Sequence, residues 1–533
     1  MTITKKLQHY WRNFFLDKHE KAFISHNKEY FRANSQKKES IILMELNESC
    51  SNLISYSYVA SILAKKYDSS IYSFYPRIPR KFHNKMLWMI RSKFAFKTST
   101  LFNSFGSEGL IVPSLNSIMK DEAKNLYTKK INSIKTKDDL ERLEFFGILF
   151  GDLIYDYYLA FYKETEIDLS SEKFKLHLKY CIELIVFWKS FLEIGKVTAI
   201  NVSHTVYTNA IPLRIGIKFG IPSFQTTAKD IYQLNKERQF AYTEFKDYKT
   251  LFTSLDSSVK KKGLIKAKER IDSRFSGKVG VDMSYSKKSA FGNPLNYRLI
   301  KESPNIKILV APHCFFDSPH PYGNNLFPDV LEWLKELVRV SKKTNYDWYV
   351  KTHPDFIQET KDVVELFFKD EPNFKILPSN SSHNQIIDEG IDFALTMYGT
   401  IAFEYAAKKI PVINASINNP HIAYDFNINP KSRLEYKNIL MNLQNISHTI
   451  NVNDVYEYYY MKNLYSSRSW LFEDYDESLD YVGGYSGQFK PLIFKYWLEK
   501  WNITHHNKTI RNVEIFLDSK EYRFETNNLN YTT

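Results

Sequence analysis

The sequence predicts an α/β protein of two domains, each built on a parallel β-sheet with helices on both faces. Short apolar strands alternate with amphipathic helices in both halves of the chain, which is the pattern of such sheets. A chain of 533 residues is also longer than one ordinary core supports. The balance of 43% hydrophobic and 25% charged residues is typical of a globular protein.

The N-terminal half begins this alternation at Glu39, after a polar leader over residues 1–38. SIILMEL predicts a buried strand, and SNLISYSYVASILAKKY predicts a helix with Val59, Ile62 and Leu63 on one face. SSIYSFYPR then predicts a second strand, so the first unit of the domain is βαβ.

The rest of this half continues the pattern. After a basic, aromatic helical stretch over residues 81–96, long helices are expected around residues 140–162 and 174–194. VTAINVS predicts a strand, and IPLRIGIKFGIPSFQT predicts a helix and a strand separated by a Gly-Ile-Pro stop. We assign residues 39–253 to an N-terminal Rossmann-like domain.

The C-terminal half repeats the alternation after an interdomain region, residues 254–299, that is rich in Ser, Lys and Gly. Residues 300–470 are assigned to a second Rossmann-like domain facing the first across a cleft. Its predicted elements are IKILVAP (306–312), a helix over residues 326–342, WYVKTHP (348–354), FKIL (374–377), DFALTM (392–397) and PVIN (411–414). Residues 471–533 predict a helical tail that includes PLIFKYWLEKW.

The net charge of +13 is partly local. Between Lys5 and Lys38 the leader has nine basic residues against three acidic ones, interleaved with Trp11, Phe14 and Phe15. Such a segment could lie on an anionic membrane surface, or it could be a solvated arm. A second basic run covers residues 260–270, and no nucleic-acid-binding motif accompanies either run, so no nucleic-acid partner is expected.

The sequence also predicts the compartment. Cys50, Cys181 and Cys314 are far apart and form no CxxC pair, which fits a reducing cytoplasm and argues against a zinc or disulfide framework. The N-terminus lacks the apolar core of a signal peptide. No stretch approaches the roughly 18–20 apolar residues of a membrane-spanning helix, so we expect a cytoplasmic protein that is either free or peripheral at the inner face of the membrane.

Polar loops follow four successive strands of the second domain, where ligands of open parallel sheets bind. Their notable residues are His313, Asp317 and His320 after the first strand, Lys351 and His353 after the second, Tyr398, Gly399 and Thr400 after the next, and His421 after the last. We expect the first and last loops to contact a donor or an acceptor. The His, Asp and His side chains of the first loop could alternatively be metal ligands.

The turn Tyr398-Gly399-Thr400 joins a strand to a helix, and Glu404 lies one helical turn further on. A helix N-terminus favours a phosphate, and Gly399 lets the backbone approach it closely because no Cβ intervenes. Thr400 can cap the helix or donate its hydroxyl, and Glu404 can accept hydrogen bonds from a ribose diol. The alternative is a capped helix with a surface glutamate.

The segment YGTIAFEYAAKKIPVIN resembles the nucleotide-binding turn of GT-B glycosyltransferases, and KTHP resembles the Lys-x-His-Pro element of bacterial capsule and surface-polysaccharide transferases. The resemblance covers residues 306–414. It implies that His353, Gly399, Thr400 and Glu404 hold the nucleotide diphosphate and ribose, with Lys351 neutralising a leaving phosphate and Tyr398 completing the turn. GT-B enzymes need no obligatory metal, so the resemblance implies no metal and no cofactor beside the donor.

The same segment is similar to that of the CDP-polyol phosphotransferases of teichoic-acid synthesis. Those enzymes typically carry Asp-Tyr-Ser-Ser where this chain has Met-Tyr-Gly-Thr, residues 397–400. The missing Asp argues against transfer of a polyol phosphate.

A glycosyl transfer needs a group that takes the proton of the acceptor hydroxyl. In the N-terminal domain the candidates are Asp152 and Asp156, four residues apart on one helical face, and His204, which directly follows a strand. The alternative for the two aspartates is a polar stripe on a buried helix.

The leading prediction is therefore a glycosyltransferase that moves a sugar from a nucleotide-sugar donor to a surface polysaccharide, a capsule or a lipid-linked glycan. The donor would bind the C-terminal domain and the acceptor the N-terminal one. Two alternatives keep the fold, a polyol-phosphate transferase and a nucleotide-sugar 2-epimerase. A third is a non-enzymatic assembly protein that binds polysaccharide or membrane.

Overall fold

The structure is a computed structural model that describes residues 15–31, 37–79, 97–465, 469–472 and 474–525. Half of the predicted leader, including Trp11 and Phe14, lies outside these residues. The helical stretch predicted over residues 81–96 lies outside them as well.

The N-terminal domain is built on a six-stranded sheet, and it also contains a separate two-stranded hairpin. The strands of this half are β1 (Ile41–Glu45), β2 (Ser70–Phe74), β3 (Ser107–Ile111), β4 (Glu144–Phe145), β5 (Ile148–Leu149), β6 (Val197–Val202), β7 (Ser223–Thr226) and β8 (Ile231–Leu234). β4 and β5 form the hairpin, and the sheet has the order β3-β2-β1-β6-β7-β8, parallel except for the last pair. This order reverses direction between β1 and β6, which makes their carboxyl ends the expected ligand crevice of the domain.

Helices cover both faces of this sheet. They are α1 (Lys18–Tyr30), α2 (Cys50–Lys66), α3 (Lys97–Ser104), α4 (Ser117–Ile131), α5 (Lys137–Glu141), α6 (Gly151–Tyr162), α7 (Glu172–Glu193) and α8 (Ala210–Phe219). Alternate residues of β1 point to opposite faces, so Leu43 joins one apolar core while Ile42 and Met44 join the other. The strand is buried on both sides, as its continuous apolar sequence predicts.

The prediction of one long helix around residues 140–162 is wrong, because a hairpin separates α5 from α6. Phe146 and Gly147 both have positive φ, 55° and 68°, which suits a two-residue hairpin turn. Gly151 begins α6 against α5, where an added Cβ would lie 1.9 Å from the carbonyl oxygen of Leu140. The apolar periodicity continues through the turn and conceals it.

The C-terminal domain contains a five-stranded, fully parallel sheet. Two helices lead into the domain, α9 (Tyr248–Ser254) and α10 (Ser257–Phe275). The strands are β9 (Lys307–Val310), β10 (Asp347–Val350), β11 (Phe374–Ile376), β12 (Phe393–Thr396) and β13 (Val412–Asn414), and their order in the sheet is β11-β10-β9-β12-β13. The helices of the domain are α11 (Val330–Ser341), α12 (Gln358–Phe368), α13 (His383–Asp388), α14 (Ile401–Ala407), α15 (Arg433–Leu440) and α16 (Val452–Tyr459). The order reverses between β9 and β12, so the loops after these two strands flank one crevice.

The predicted tail packs back on the N-terminal domain. Its helices are α17 (Tyr475–Tyr481), α18 (Leu492–Lys500) and α19 (Ile503–Asp518). Phe494 of α18 stacks on Phe23 of α1 with ring centres 4.1 Å apart, inside the core that lies on one face of the N-terminal sheet. The part of the leader that forms α1 (Lys18–Tyr30) is therefore a packed helix rather than a free arm.

The second basic run, residues 260–270, lies on α10 within the predicted interdomain region. Its buried side is narrow and consists of Gly263, Ala267 and Ile271, while most of its lysines face solvent. In the described part of the chain, no helix combines the length and the apolar character needed to cross a membrane.

Candidate functional site

A cavity of about 460 Å³ lies at the carboxyl ends of β9, β10 and β12. Seven of the predicted site residues line it, namely His313, Asp317, Lys351, His353, Gly399, Thr400 and Glu404. Its remaining walls come from the end of α10 and from the segment over residues 280–291. The cavity thus occupies the crevice that the strand order predicts.

Lys351 places a buried cation in this cavity. Its side chain follows β10, is only 2% exposed, and lies with Nζ 3.3 Å from His383 Nε2. Burial lowers the pKa of Lys351 to about 8 and that of His383 well below its usual value. His383 is therefore neutral and accepts from Lys351, while its Nδ1–H donates to the Tyr405 hydroxyl at 2.8 Å. Within the described residues Lys351 forms no ion pair, so an anionic ligand would compensate its charge.

Two histidines add polar ring atoms to the same wall. His353 Nδ1 accepts from the backbone N–H of Asp355 at 3.1 Å, so Nε2 carries the proton of the neutral ring. Burial is the main cause that lowers the pKa of His353, and the nearby charge of Lys351 lowers it further. His313 packs on Tyr398 with ring centres 4.7 Å apart, burial lowers its pKa, and its buried Nδ1 has no hydrogen-bond partner among the described residues.

Glu404 is buried on the cavity wall and forms an ion pair with Arg274 of α10. Arg274 also donates to the carbonyl oxygen of Val281 at 2.9 Å, which fixes the start of the segment that covers the cavity. Glu404 is consequently not the free carboxylate that the sequence suggested for a ribose diol. Arg274 was missed because, in the sequence, it is one of many basic residues near the run over 260–270.

The covering segment is held at a second point by Asp355. Its carboxylate accepts from the Ser286 hydroxyl at 2.9 Å and from the backbone N–H groups of Lys287 and Lys288 at 2.9 and 3.2 Å. Asp355 directly follows the KTHP sequence, so one loop supplies both Lys351 and the anchor of the cover.

The turn after β12 is shaped by close packing. The Gly399 N–H donates to Thr396 Oγ1 at 3.2 Å, and a Cβ on Gly399 would lie 2.9 Å from that oxygen. Thr400 precedes α14 without capping it through its side chain. Tyr398 donates its hydroxyl to the Ser318 carbonyl oxygen at 3.3 Å, which ties the turn to the loop after β9.

Asp152 lies outside this cavity, in a buried pair with Arg214. Both side chains are 1% exposed, and the two guanidinium nitrogens lie 2.6 and 2.5 Å from the two carboxylate oxygens. Every carboxylate oxygen is therefore used inside the N-terminal domain. The structure matches the alternative of a polar stripe on a buried helix.

Asp156 lies between the domains and is also removed from solvent. It contacts His320 Nδ1 at 2.6 Å and the Ser318 hydroxyl, while His320 Nε2 contacts Glu141 at 2.7 Å. His320 therefore does not join His313 and Asp317 as a metal ligand, because both its ring nitrogens bind carboxylates. Among the described residues no group of three or more potential metal ligands is gathered at one point.

His421 is buried among aromatic side chains and does not line the cavity. Its ring packs on Tyr458 with centres 4.7 Å apart, and burial lowers its pKa to about 3. It is therefore a neutral core histidine, and its place in the donor or acceptor loop is not supported by the contacts.

His204 is exposed at the crevice of the N-terminal sheet, next to the end of β6. Its Nδ1 lies 2.8 Å from Ser203 Oγ, which lies 2.9 and 3.0 Å from the oxygens of the buried Glu45. Because a carboxylate only accepts, Ser203 donates to Glu45 and accepts from His204 Nδ1–H. The Nε2 lone pair of His204 is left for another partner. Glu45, which ends β1, was missed because the sequence shows it only as the polar end of an apolar strand.

A second cavity, of about 510 Å³, lies between the two domains. Its lining includes Arg77, Tyr157 and Tyr207 from the N-terminal domain, and it shares Cys314 and Asp317 with the first cavity. Tyr207 donates its hydroxyl to Asp317 at 2.7 Å, across the boundary between domains. Asp317 therefore stands where the two cavities meet, whereas His204 lines neither of them.

Replacing Asp152 with Asn is expected to lower the free energy of unfolding by about 2–4 kcal/mol, because Arg214 then keeps a buried charge without a countercharge. Urea unfolding measures this loss. Nucleotide affinity should be unchanged, because Asp152 does not reach the cavity. A variant with normal stability and reduced activity would instead restore Asp152 as a catalytic candidate.

Each domain has a mainly parallel sheet covered by helices, and a cavity lies between the two domains, so the predicted fold class of two Rossmann-like α/β domains facing a cleft is confirmed. No family model matches the sequence, and no curated protein matches it.

Several solved structures are similar to the chain. KpsC of Thermosulfurimonas dismutans, a β-Kdo 2,4 transferase, is 9% identical over 50% of this chain and 79% of that one, with a TM-score of 0.32. The UDP-GlcNAc 2-epimerase of Neisseria meningitidis is 10% identical over 78% and 97%, with a TM-score of 0.21. MurG of Acinetobacter baumannii is 9% identical over 79% and 94%, with a TM-score of 0.22. The assignment of the fold class rests on the two sheets of this chain and not on these similarities.

Proposed function

We propose that the protein is a glycosyltransferase that uses a nucleotide-sugar donor. The observation that carries this proposal is the buried Lys351, which has no ion-pair partner among the described residues and lies in a cavity that shares Asp317 with a second cavity between the domains. Burying a cation without a countercharge is costly, so such a group is expected where an anionic ligand binds. A nucleotide sugar supplies that anion as its phosphate.

In this proposal the phosphate lies against Lys351 and the Nε2–H of His353, both of which donate hydrogen bonds. The sugar extends toward Asp317, which takes the proton of the acceptor hydroxyl as that oxygen bonds to the anomeric carbon. The bond from the anomeric carbon to the phosphate oxygen breaks, and the nucleotide leaves with its charge neutralised by Lys351. Asp317 thus replaces Asp152, Asp156 and His204 as the proposed proton acceptor.

The second cavity favours a transferase over a nucleotide-sugar 2-epimerase, because an epimerase needs no separate acceptor. It equally favours an enzyme over a purely structural assembly protein, since the two cavities meet at a carboxylate. That the acceptor is a surface polysaccharide or lipid-linked glycan, that no cofactor takes part, and that the protein works at the inner face of the membrane remain predictions from the sequence.

The test is a thermal-shift panel of UDP-, CMP-, GDP- and CDP-linked sugars on the wild type and on His353→Ala and Glu404→Ala. We expect one nucleotide to raise the melting temperature, by about 2–3 degrees at a concentration of 100 Kd, because ligand binding to the folded state stabilises it by about 2.7 kcal/mol there. His353→Ala should reduce the shift. Without any stabilising nucleotide the transferase proposal fails, and an undiminished shift in both variants rejects the assigned site.

A further inference from the structure

We propose that the cavity between the domains binds an anionic glycan, and that Arg77 and Lys163 contact its carboxylate or phosphate groups. The inference rests on the proposed function, because it takes this cavity as the place of the acceptor. It adds the chemical class of that acceptor, which the fold does not define.

The cavity has the size and the apolar walls of a ligand site. Its volume of about 510 Å³ falls within the range of about 300–1,000 Å³ that is usual for small-molecule sites. Phe161 from one domain and Ile357 from the other are 53% and 49% exposed beside it, and Tyr157 and Tyr207 add two further rings. Such surfaces pack against the apolar faces of sugar rings, which carry few hydroxyl groups.

Two cationic side chains of this lining have no ion-pair partner among the described residues. Arg77 and Lys163 are both solvent-accessible, and neither forms an ion pair within the ranges that the structure describes. The Arg77 guanidinium lies 5.8 Å from the centre of the Tyr157 ring, which orients it along the cavity wall. Lys137, by contrast, is an interdomain lysine already bound to Glu166, Asp329 and Glu332.

The cavity lining combines one carboxylate, Asp317, with two cations, Arg77 and Lys163. Asp317 lies at the junction with the donor cavity and already accepts from Tyr207, so an anion is disfavoured beside it and a hydroxyl is favoured. Arg77 and Lys163 belong to the second cavity and not to the first. An acceptor with its reactive hydroxyl at Asp317 and its anionic group further along would satisfy both ends. The planar guanidinium of Arg77 matches a carboxylate or phosphate with two hydrogen bonds.

The test measures binding of two tetrasaccharides to the full chain by isothermal titration calorimetry. Hyaluronan tetrasaccharide carries carboxylates, and chitotetraose is neutral and of equal length. We expect the anionic probe to bind at least tenfold more tightly, with an affinity that falls as salt rises. Arg77→Gln and Lys163→Gln should each weaken it about three- to tenfold. Lys120→Gln, a change at an exposed lysine of α4, should leave it unchanged.

The outcomes separate this inference from the proposed function. Equal binding of both probes, or no effect of Arg77→Gln and Lys163→Gln, would overturn the anionic acceptor. So would failure of the hyaluronan tetrasaccharide to bind while a nucleotide still stabilises the protein. Failure of every nucleotide would reject the transferase itself. Arg77→Gln should keep the nucleotide-dependent thermal shift, because Arg77 does not line the donor cavity.

Discussion

Replacing Lys351 with Met is expected to abolish most nucleotide binding while making the ligand-free protein more stable. The two effects have one cause. Lys351 is 2% exposed, and its only close polar partner among the described residues is the neutral ring of His383. Methionine keeps the length of the side chain but removes the charge. Without the buried cation the ligand-free protein avoids its desolvation cost. An anionic ligand, in turn, loses the electrostatic attraction to that cation.

The expected loss of affinity is ten- to a hundredfold, since a hydrogen bond to a charged group contributes about 1.5–3 kcal/mol. The expected gain in stability has an upper limit set by the pKa of Lys351. That pKa falls from 10.5 to about 8, and each unit corresponds to about 1.4 kcal/mol, which gives about 3 kcal/mol. If the methionine side chain packs less well than the lysine side chain, the gain in the free energy of unfolding becomes smaller but keeps its sign.

The pH dependence of this gain has a definite sign. Between pH 8 and 10.5 the unfolded chain binds a proton at Lys351 that the folded protein does not, so wild-type stability rises with pH in that window. The advantage of Lys351→Met should therefore be greatest below pH 8 and shrink toward pH 10. Urea unfolding at pH 7.5 and 9.5, with Lys120→Met as the exposed control, measures it. A Lys351→Met protein that is less stable and binds nucleotide normally would show that Lys351 is structural.

The sheets were predictable because their signals are local. Each strand of the C-terminal domain is a short apolar run followed by a polar loop, and parallel strands place those loops at one edge. The succession of strands alone therefore predicted that Lys351, His353 and Gly399 lie close together. The hairpin near Gly147 escaped because a two-residue turn leaves the helical periodicity almost intact over the window in which it is counted.

The pairings within the site were not predictable in the same way. Glu404 and Arg274 are 130 positions apart, and Asp156 and His320 are 164 apart. A charged residue in a sequence shows its type but not its partner, so Glu404 and Asp156 both looked available for chemistry. Folding satisfies buried charges first with other side chains, because an unpaired buried charge is strongly destabilising. Lys351 differs from them because it has no ion-pair partner among the residues that the structure describes.

Replacing His320 with Ala is expected to destabilise the junction between the domains by about 3–5 kcal/mol, the usual cost of removing one partner from a buried ion pair. His320 is fully buried, and its two nitrogens contact Asp156 and Glu141 from the N-terminal domain. Without the imidazolium these two carboxylates face each other in a site closed to water. Asp156→Asn should cost less, because one carboxylate then remains for His320.

This cluster also predicts how the junction responds to pH. Burial alone would lower the pKa of His320, but the charges and hydrogen bonds of Asp156 and Glu141 raise it well above 6.5. The stabilisation is then fully present below pH 6.5 and is lost as pH rises through the raised folded-state pKa. The wild type should lose stability at alkaline pH by this route, and His320→Ala should not.

A double-mutant cycle of His320→Ala and Asp156→Asn, measured by urea unfolding, tests the coupling that this arrangement requires. We expect a coupling energy of at least about 1 kcal/mol at pH 6, falling as pH rises. Additive losses at pH 6 would contradict the ion pair. Because Asp317 and Ser318 belong to the same loop as His320, a loosened junction should also weaken oligosaccharide binding more than nucleotide binding. That asymmetry would show that the buried cluster of Asp156, His320 and Glu141 supports the cavity between the domains more than it supports the donor cavity.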